Sequence, residues 1–138
     1  MRQGGGRPLL GESLASPDVA VYRLEAADGG QGFLELDFRH AGECELTYFG
    51  IEESLVGGGG GRWLMNRAIG LAWARPIHRF WVHTCTLDHP AALPFYVRSG
   101  FRPFRQQVEI EDDPRLIGLL PETSAARIPL ALRTSLVR

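Results

Sequence analysis

The sequence of 138 residues contains no lysine, so all 15 of its basic residues are arginine. Schiff-base chemistry is therefore excluded, because it needs a side-chain amine. The formal net charge is −1, and a protein that binds nucleic acid through its phosphates would carry a basic surplus. No apolar run approaches the roughly 20 residues of a membrane span, and Met1 is followed by RQGGG instead of an apolar signal core. We expect a soluble, cytoplasmic protein.

Cysteine is also scarce, with only Cys44 and Cys85. Both lie in strand-like runs, where cysteine is typically a small buried hydrophobe, so a disulfide framework is not expected. The length suits one domain, and a chain of this size buries roughly two-thirds of the surface that it exposes when unfolded. We interpret residues 1–138 as a single domain in which residues 1–17 form a loose leader without a sustained period.

Three strands are predicted in the first half of the chain. Residues 19–25 and 32–38 alternate between apolar and polar side chains, and Asp28-Gly29-Gly30 between them favours a tight turn. Residues 43–51 form a third alternating run after a turn at residues 40–42. The pattern predicts an antiparallel meander.

The second half alternates helices with strands. Five glycines at 57–61 lead into an amphipathic helix that Pro76 ends, and residues 79–86 read as a buried strand. A second helix is predicted to start with Asp88 or His89 as its N-cap and to run to about residue 98, with a distorted or late start because of Pro94. Residues 101–110 alternate again and predict a last strand. The fold class is α/β (α+β), with a mixed, mainly antiparallel sheet and a β-α-β-α-β core.

The glycine run at 57–61 lies at a junction between a strand and a helix. Glycine lets the backbone turn tightly and bring several N–H groups close to an anion, and the following helix adds the positive end of its dipole. Two interpretations stay open: a cradle for a diphosphate, or a flexible low-complexity insertion. Arg62, directly after the run, favours the cradle.

Two motifs in residues 43–104 resemble the GNAT N-acetyltransferase superfamily. The family's acyl-CoA motif, Gln/Arg-x-x-Gly-x-Gly/Ala, matches residues 56–61 (VGGGGG), and its second signature, Ala-x-x-x-Tyr-x-x-x-Gly-Phe, matches residues 92–101 (ALPFYVRSGF). The second motif is the more specific. The resemblance covers about residues 19–110 and implies a GNAT-like fold, an enzyme that uses acetyl-CoA, and direct acetyl transfer to an amine.

The sequence departs from the family pattern at two places. Val56 replaces the polar first residue of the acyl-CoA motif, so a side-chain contact to the diphosphate is lost or passes to Arg62 or Arg67. The family places a strand and two helices before the hairpin, and only about 18 residues stand there in this chain, so its N-terminal elements are shortened. An exposed sheet flank needs cover, and we therefore expect a homodimer.

The resemblance implies a binding site for the acetyl-CoA co-substrate. The pantetheine arm would pair with the third strand around Phe49 and Ile51, the diphosphate would lie on the amides of Gly59, Gly61 and Arg62, and Asp88 would hydrogen-bond the cofactor. The implied cofactor-binding residues are Phe49, Ile51, Val56, Gly57, Gly58, Gly59, Gly60, Gly61, Arg62, Asp88 and Tyr96. No metal is expected.

Three residues are candidates for catalysis. Glu45 matches a position where some family members carry a glutamate as general base, and Glu43 shares its strand face with Glu45, Thr47 and Phe49 if alternation is regular. The alternative is that both carboxylates are solvated polar positions. Tyr96 matches the family's tyrosine near the CoA sulfur, which acts as a general acid; its alternative is a core aromatic residue.

A rival constellation consists of His83, Cys85, Asp88 and His89. Their types suit a metal or a Cys85 nucleophile activated by His83, but the spacing is unlike that of zinc sites, and two side chains of one strand face lie parallel. We interpret Cys85 as a packing residue and Asp88 as a helix cap. His83 is expected to line the cleft between the third strand and the strand predicted over residues 79–86. The leading function is N-acetyl transfer from acetyl-CoA; the alternatives are a non-catalytic CoA-binding module and a metal- or cysteine-dependent hydrolase. The acceptor amine is not readable from the sequence.

Overall fold

A computed structural model describes residues 2–3 and 16–131. Its elements in chain order are β1 (Arg2–Gln3), β2 (Val19–Glu25), β3 (Gln31–Asp37), β4 (Glu43–Ile51), a 3-10 turn (Glu53–Leu55), α1 (Gly60–Trp73), β5 (Arg79–Trp81) and α2 (Ala92–Arg98). Two compact units divide the chain, a first unit (Met1–His83) and a second unit (Thr84–Arg138). Most of the loose leader predicted for residues 1–17 lies outside the described residues.

The first unit is built on a mixed sheet with the strand order β1-β2-β3-β4-β5. Neighbouring strands from β1 to β4 are antiparallel, and β5 runs parallel to β4. The predicted hairpin is confirmed: the Asp28 carboxylate accepts a hydrogen bond of 3.0 Å from the Gly30 amide, and Gly29 has a φ of 88°, which favours glycine. The predicted meander and the mixed, mainly antiparallel sheet are therefore confirmed.

Helix α1 covers one face of this sheet. Its side chains at Leu64, Met65, Ala68 and Ala72 are buried, as their helical spacing predicts. They meet a sheet face whose fully buried residues include Leu34, Leu36 and Leu46. Burying one such leucine contributes about 1.5–3 kcal/mol, so this layer fixes α1 and the glycine-rich turn that precedes it.

Strand β5 is shorter than the sequence predicts. The strand expected over residues 79–86 ends at Trp81, and residues 82–85 have no regular structure. Its parallel register pairs Glu43 with Arg79 and Glu45 with Trp81. A β-rich composition indicates a strand, but the partner strand decides how far hydrogen bonding extends, and the two strands stop pairing after three residues.

The second unit contains α2, which begins later than its N-cap signals predict. The helix starts at Ala92 and not next to Asp88, so the expected late start is confirmed and the expected cap is wrong. Pro94 is the third helical residue, where its missing N–H has no helical partner to lose. The helix ends at Arg98, near the predicted end, and Gly100 follows with a φ of 103°: the Gly100 amide donates to the Val97 carbonyl (3.1 Å) and the Phe101 amide to the Tyr96 carbonyl (3.1 Å).

The last predicted strand is wrong. Residues 101–113 have neither helix nor strand, and the side chains of Val108 and Ile110 are 88% and 95% exposed. Alternation identifies a segment that is able to pair, but it does not supply the neighbouring strand. Beyond this segment, the almost fully buried Arg115 side chain binds the Asp113 carboxylate (2.7 Å) and the Ile128 carbonyl (2.9 Å), which organises the chain around it.

Candidate active site

The glycine-rich turn between β4 and α1 depends on left-handed backbone conformations. Gly57 and Gly59 have φ values of 80° and 86°, and Gly59 is the N-cap of α1. Glycine adopts this region without the steric penalty that a Cβ atom carries. Gly60 is restricted for a different reason, since a Cβ there would lie 3.0 Å from the Leu55 Cβ atom. The run is therefore an ordered turn with specific glycine requirements.

The first turn of α1 presents backbone amides without helical partners. The first helical hydrogen bond runs from the Trp63 amide to the Gly59 carbonyl, at 2.9 Å. The amides of Gly60, Gly61 and Arg62 precede that bond, and Gly59 has no side chain to cap them. Three amides at the positive end of a helix dipole suit an anion. The donor set therefore fits the diphosphate of CoA.

Side chains around this turn add little positive charge. Val56, which replaces a polar family residue, is 64% exposed. The Arg67 guanidinium lies over the Trp63 ring, 5.9 Å from its centroid. Arg62 is exposed in the first turn of the helix, where it places one guanidinium beside the backbone donors. Anion binding here thus depends on the amides and on this one side chain.

A β-bulge in β4 changes which side chains share a face. Glu35 of β3 pairs with Tyr48, and the next residue, Leu36, pairs with Leu46, so Thr47 is an extra residue in β4. Regular alternation places Phe49 with Glu43 and Glu45, and this expectation is wrong. Because of the bulge, Phe49 lies opposite Leu34, and the Ile51 side chain borders Gly32 on the α1 side of the sheet.

Strands β4 and β5 pair only at one end. The parallel ladder joins residues 43–45 to residues 79–81, and β4 then continues to Ile51 beyond the end of β5. Phe49 and Ile51 therefore lie in the stretch of β4 that has left the ladder with β5. Bulges and diverging strands often occur beside active sites, where they redirect side chains.

The two candidate carboxylates on β4 have different partners. Glu43 faces the Arg79 guanidinium (Oε1 to Nη1, 3.4 Å), and the His78 Nε2 atom lies 4.0 Å from the same carboxylate oxygen. Glu45 contacts His83, with 2.6 Å between its Oε1 atom and the imidazole Nδ1 atom. Arginine keeps its proton at all working pH values, whereas histidine exchanges protons near neutrality. Glu45 therefore has a histidine at hydrogen-bond distance, whereas the nearer partner of Glu43 is an arginine.

Two further acidic residues, Glu35 and Asp37 on β3, are almost fully buried and were not among the predicted site residues. The Thr47 hydroxyl donates a hydrogen bond of 2.7 Å to Glu35 Oε1. The Arg39 guanidinium binds the Asp37 carboxylate through its Nε atom (2.9 and 3.0 Å) and lowers the pKa of that carboxyl. The sequence signal for these two residues is weak: they lie two positions apart in the predicted strand, so alternation places both on one face of the sheet.

Tyr96 lies on α2 in the second unit, with its ring against Phe95 and Phe101 (centroid distances 5.8 and 5.9 Å). Burial, and secondarily the charge of Asp88, raise the pKa of its phenol. The hydroxyl therefore stays protonated over the physiological range, which is the state that a proton donor needs.

Asp88 does not cap α2. Its carboxylate accepts hydrogen bonds from the Thr84 hydroxyl (2.6 Å) and the Cys85 amide (3.0 Å), which lie before it in the chain. The His89 Nδ1 atom instead accepts a hydrogen bond of 3.1 Å from the Ala91 amide. Asp88 thus closes a local turn, in the pattern typical of aspartate.

The rival His-Cys-Asp constellation is divided among other contacts. His83 contacts Glu45, and the Cys85 thiol lies 3.9 Å from the Asp88 carboxylate. Within residues 16–131, the structure brings no three His, Cys, Asp or Glu side chains together in a way that could hold a metal ion. Nothing in these contacts favours the hydrolase interpretation.

The family model described as Acetyltransferase (GNAT) family matches residues 21–101 of this chain. The chain belongs to the GNAT acetyltransferase family. The resemblance found in the two sequence motifs is thereby confirmed, and so is the predicted fold class. No protein with a curated description matches this GNAT chain.

Solved structures show the same fold at low sequence identity. YycN of Bacillus subtilis is 20% identical, with a TM-score of 0.61 over 75% of this chain and 68% of that one. The aminoglycoside N-acetyltransferase AAC(6′)-Iy, in complex with CoA, is 15% identical, with a TM-score of 0.61 over 74% of this chain and 81% of that one. The aminoglycoside acetyltransferase meta-AAC0020 from an uncultured soil sample, in complex with sisomicin, is 12% identical, with a TM-score of 0.57 over 74% and 70%.

Among the described residues, none of the helices of this GNAT chain has the length and apolar character that crossing a membrane requires.

Proposed function

We propose that this GNAT protein is an N-acetyltransferase that transfers the acetyl group of acetyl-CoA directly to an amine. The observation that carries the proposal is the row of amides without helical partners at Gly60, Gly61 and Arg62, behind a left-handed Gly59. This arrangement suits a paired phosphate through backbone donors at the positive end of a helix dipole. Family membership and the CoA complex of a similar structure support the same ligand.

The proposed cofactor contacts follow the glycine-rich turn and the end of β4. Gly60, Gly61 and Arg62 bind the diphosphate through their amides, and Gly57 and Gly59 allow the turn that presents them. Phe49 and Ile51 border the pantetheine arm, where β4 has left its ladder with β5. Acetyl-CoA, when bound, supplies an activated thioester, so the protein has only to orient the amine and move protons.

The proton chemistry is assigned to two residues. The amine arrives as an ammonium ion and must lose a proton, and we place this step at Glu45 and its partner instead of Glu43, whose neighbour is the permanently charged Arg79. Tyr96 is proposed as the proton donor to the departing sulfur, because its raised pKa keeps the phenol protonated. Replacing Tyr96 with phenylalanine is expected to lower kcat about 100-fold if this assignment is correct.

The acceptor is proposed as a small-molecule or protein amine. The two aminoglycoside-modifying structures make aminoglycosides a sensible part of any acceptor panel.

We also propose that the protein acts in the cytoplasm as a single-domain homodimer. Light scattering on the purified protein measures its mass and so tests the dimer. A monomeric mass at assay concentration would contradict the dimer.

Binding and catalysis are tested in sequence. We expect CoA to stabilise the folded protein by about 2.7 kcal/mol at 100 times its dissociation constant, which a thermal unfolding series measures. Thiol release from acetyl-CoA is then followed against aminoglycosides, polyamines and peptide amines. Stabilisation by CoA together with no thiol release from acetyl-CoA in the presence of every amine tested would indicate a non-catalytic CoA-binding module. No stabilisation by CoA would overturn the proposal.

A further inference from the structure

The contact between Glu45 and His83 assigns the proton-accepting atom within this site. Glu45 belongs to β4 and His83 follows β5, so the parallel register of these strands brings the two residues together across 38 positions of sequence. The carboxylate side chain is 14% exposed and the imidazole 71% exposed. The buried member of the pair is therefore the acid, and the member open to solvent is the histidine.

We propose that His83 Nε2 is the base that accepts the proton of the amine substrate, and that Glu45 is its positioning residue. The assignment rests on the acetyltransferase function proposed above. An ionised carboxylate has no hydrogen to donate, so the bond of 2.6 Å requires the hydrogen on Nδ1. The same tautomer leaves the lone pair of Nε2 available to a substrate.

Other groups near the pair leave this role to His83. The Trp81 ring lies next to the imidazole, with 6.4 Å between ring centroids, and the Arg79 guanidinium lies over that same indole at 6.0 Å. Arg39 follows β3, and its pKa is raised first by its hydrogen bond to Asp37 and also by the charge of Glu45. The charged groups near the pair include two carboxylate–arginine pairs: Asp37, which lies opposite Glu45 in the sheet, is bound by Arg39, and Glu43 faces Arg79. Neither arginine is able to accept a proton.

The proposed step is balanced as follows. The ammonium gives one proton to His83 Nε2, and the freed nitrogen lone pair forms the C–N bond while the C–S bond breaks and sulfur leaves with the bonding electrons. The new amide nitrogen loses a second proton, and the thiolate gains one to become the CoA thiol. One proton is released overall, and it leaves through the imidazolium ion.

Two His83 variants separate a base from a structural residue. His83→Asn keeps a donor near the position of Nδ1 and removes Nε2, and we expect kcat to fall about 100-fold while KM for acetyl-CoA changes less than about twofold. In His83→Ala, added imidazole is expected to restore thiol release, because the position is exposed. His40→Gln, on the exposed turn after β3, is the control and should match the wild type.

The Glu45→Gln variant tests the positioning role. We expect kcat to fall about tenfold, because a neutral amide no longer fixes the imidazole with its hydrogen on Nδ1. Rescue by Glu45→Asp would support positioning. Complete loss of activity in Glu45→Gln, with wild-type rates in His83→Asn, would overturn the assignment and make Glu45 the base.

A measurement without turnover keeps the two proposals apart. Long-range nitrogen-proton NMR correlations report which imidazole nitrogen carries hydrogen, and His83→Asn identifies the signal. We expect Nδ1–H in the wild type and the common Nε2–H form in Glu45→Gln; Nε2–H in the wild type would overturn the inference. Thiol release that is absent with every amine would overturn the acetyltransferase proposal, whereas release unchanged in His83→Asn would overturn only the role of His83.

Discussion

The two cysteines have opposite surroundings, and their thiols should react at very different rates. Cys44 is fully buried in β4, and burial raises the pKa of its thiol to about 12. Cys85 is exposed. Because the thiolate is the reactive form, solvent access and ionisation both favour Cys85.

We therefore expect dithionitrobenzoate at pH 8 to modify one thiol quickly and the second only after unfolding. The Cys85→Ser variant should lose the fast phase and keep the slow one. Two thiols that react equally fast in the folded protein would contradict the burial of Cys44. The same variant gives a low background for the thiol-release assay.

The start of α1 is sensitive to glycine identity at one position and tolerant at its neighbour. Gly59→Ala puts a Cβ atom on a residue with a φ of 86°, which we expect to lower the free energy of unfolding by about 1–2 kcal/mol. Gly58 lies outside the left-handed region, and its nearest neighbour would be the Leu55 carbonyl at 3.9 Å. Gly58→Ala is therefore the matched control for strain.

Urea unfolding of the two alanine variants measures the difference. Gly59→Ala should also weaken CoA binding, because the amides of α1 depend on this turn. Equal stability of the two variants would show that the left-handed conformation at Gly59 is not required.

Elements with strong local signals were predictable from the sequence. The hairpin follows from alternation on both sides of Asp28-Gly29-Gly30, and α1 follows from four buried positions at helical spacing. The bulge at Thr47 has no such signal, because it is defined by pairing with Glu35 and Leu36 of another strand. The strand expected over residues 101–110 fails for the same reason: pairing is not a local property.

In the candidate site, too, residues in local motifs were predictable from the sequence, and residues joined by strand pairing were not. The glycine-rich turn and Tyr96 stand in motifs that are continuous in sequence, so both could be named before the structure. The partner of Glu45 could not, since His83 lies 38 residues away and meets Glu45 only through the register of β4 and β5. The sequence predicts that His83 lines the cleft, but its contact with the Glu45 carboxylate depends on the fold.

The stability of the whole molecule should decline at both ends of the pH range. Arg39 lowers the pKa of the Asp37 carboxyl below its usual 3.8, so this stabilisation is complete above that value and is lost as the pH falls through the lower folded value. Burial raises the pKa of Cys44 from 9.0 to about 12, so its contribution is complete below pH 9 and is lost between the two values.

The free energy of unfolding, measured by denaturant titration at a series of pH values, tests both limbs. Arg39→Gln should flatten the acid limb and Cys44→Ala the alkaline one. Arg23→Gln is the control, since its pair with Glu25 on β2 is exposed and contributes little. An acid limb that is unchanged in Arg39→Gln would contradict the link to Asp37.

The extra residue in β4 allows this strand to lose one residue without changing its faces. A chain lacking Thr47 would pair with β3 without interruption, and Leu46 and Phe49 would keep Leu36 and Leu34 as their partners. Phe49 and Ile51 would therefore stay on the α1 side of the sheet. The loss would fall on Glu35, a nearly buried carboxylate that would no longer receive the hydrogen of the Thr47 hydroxyl.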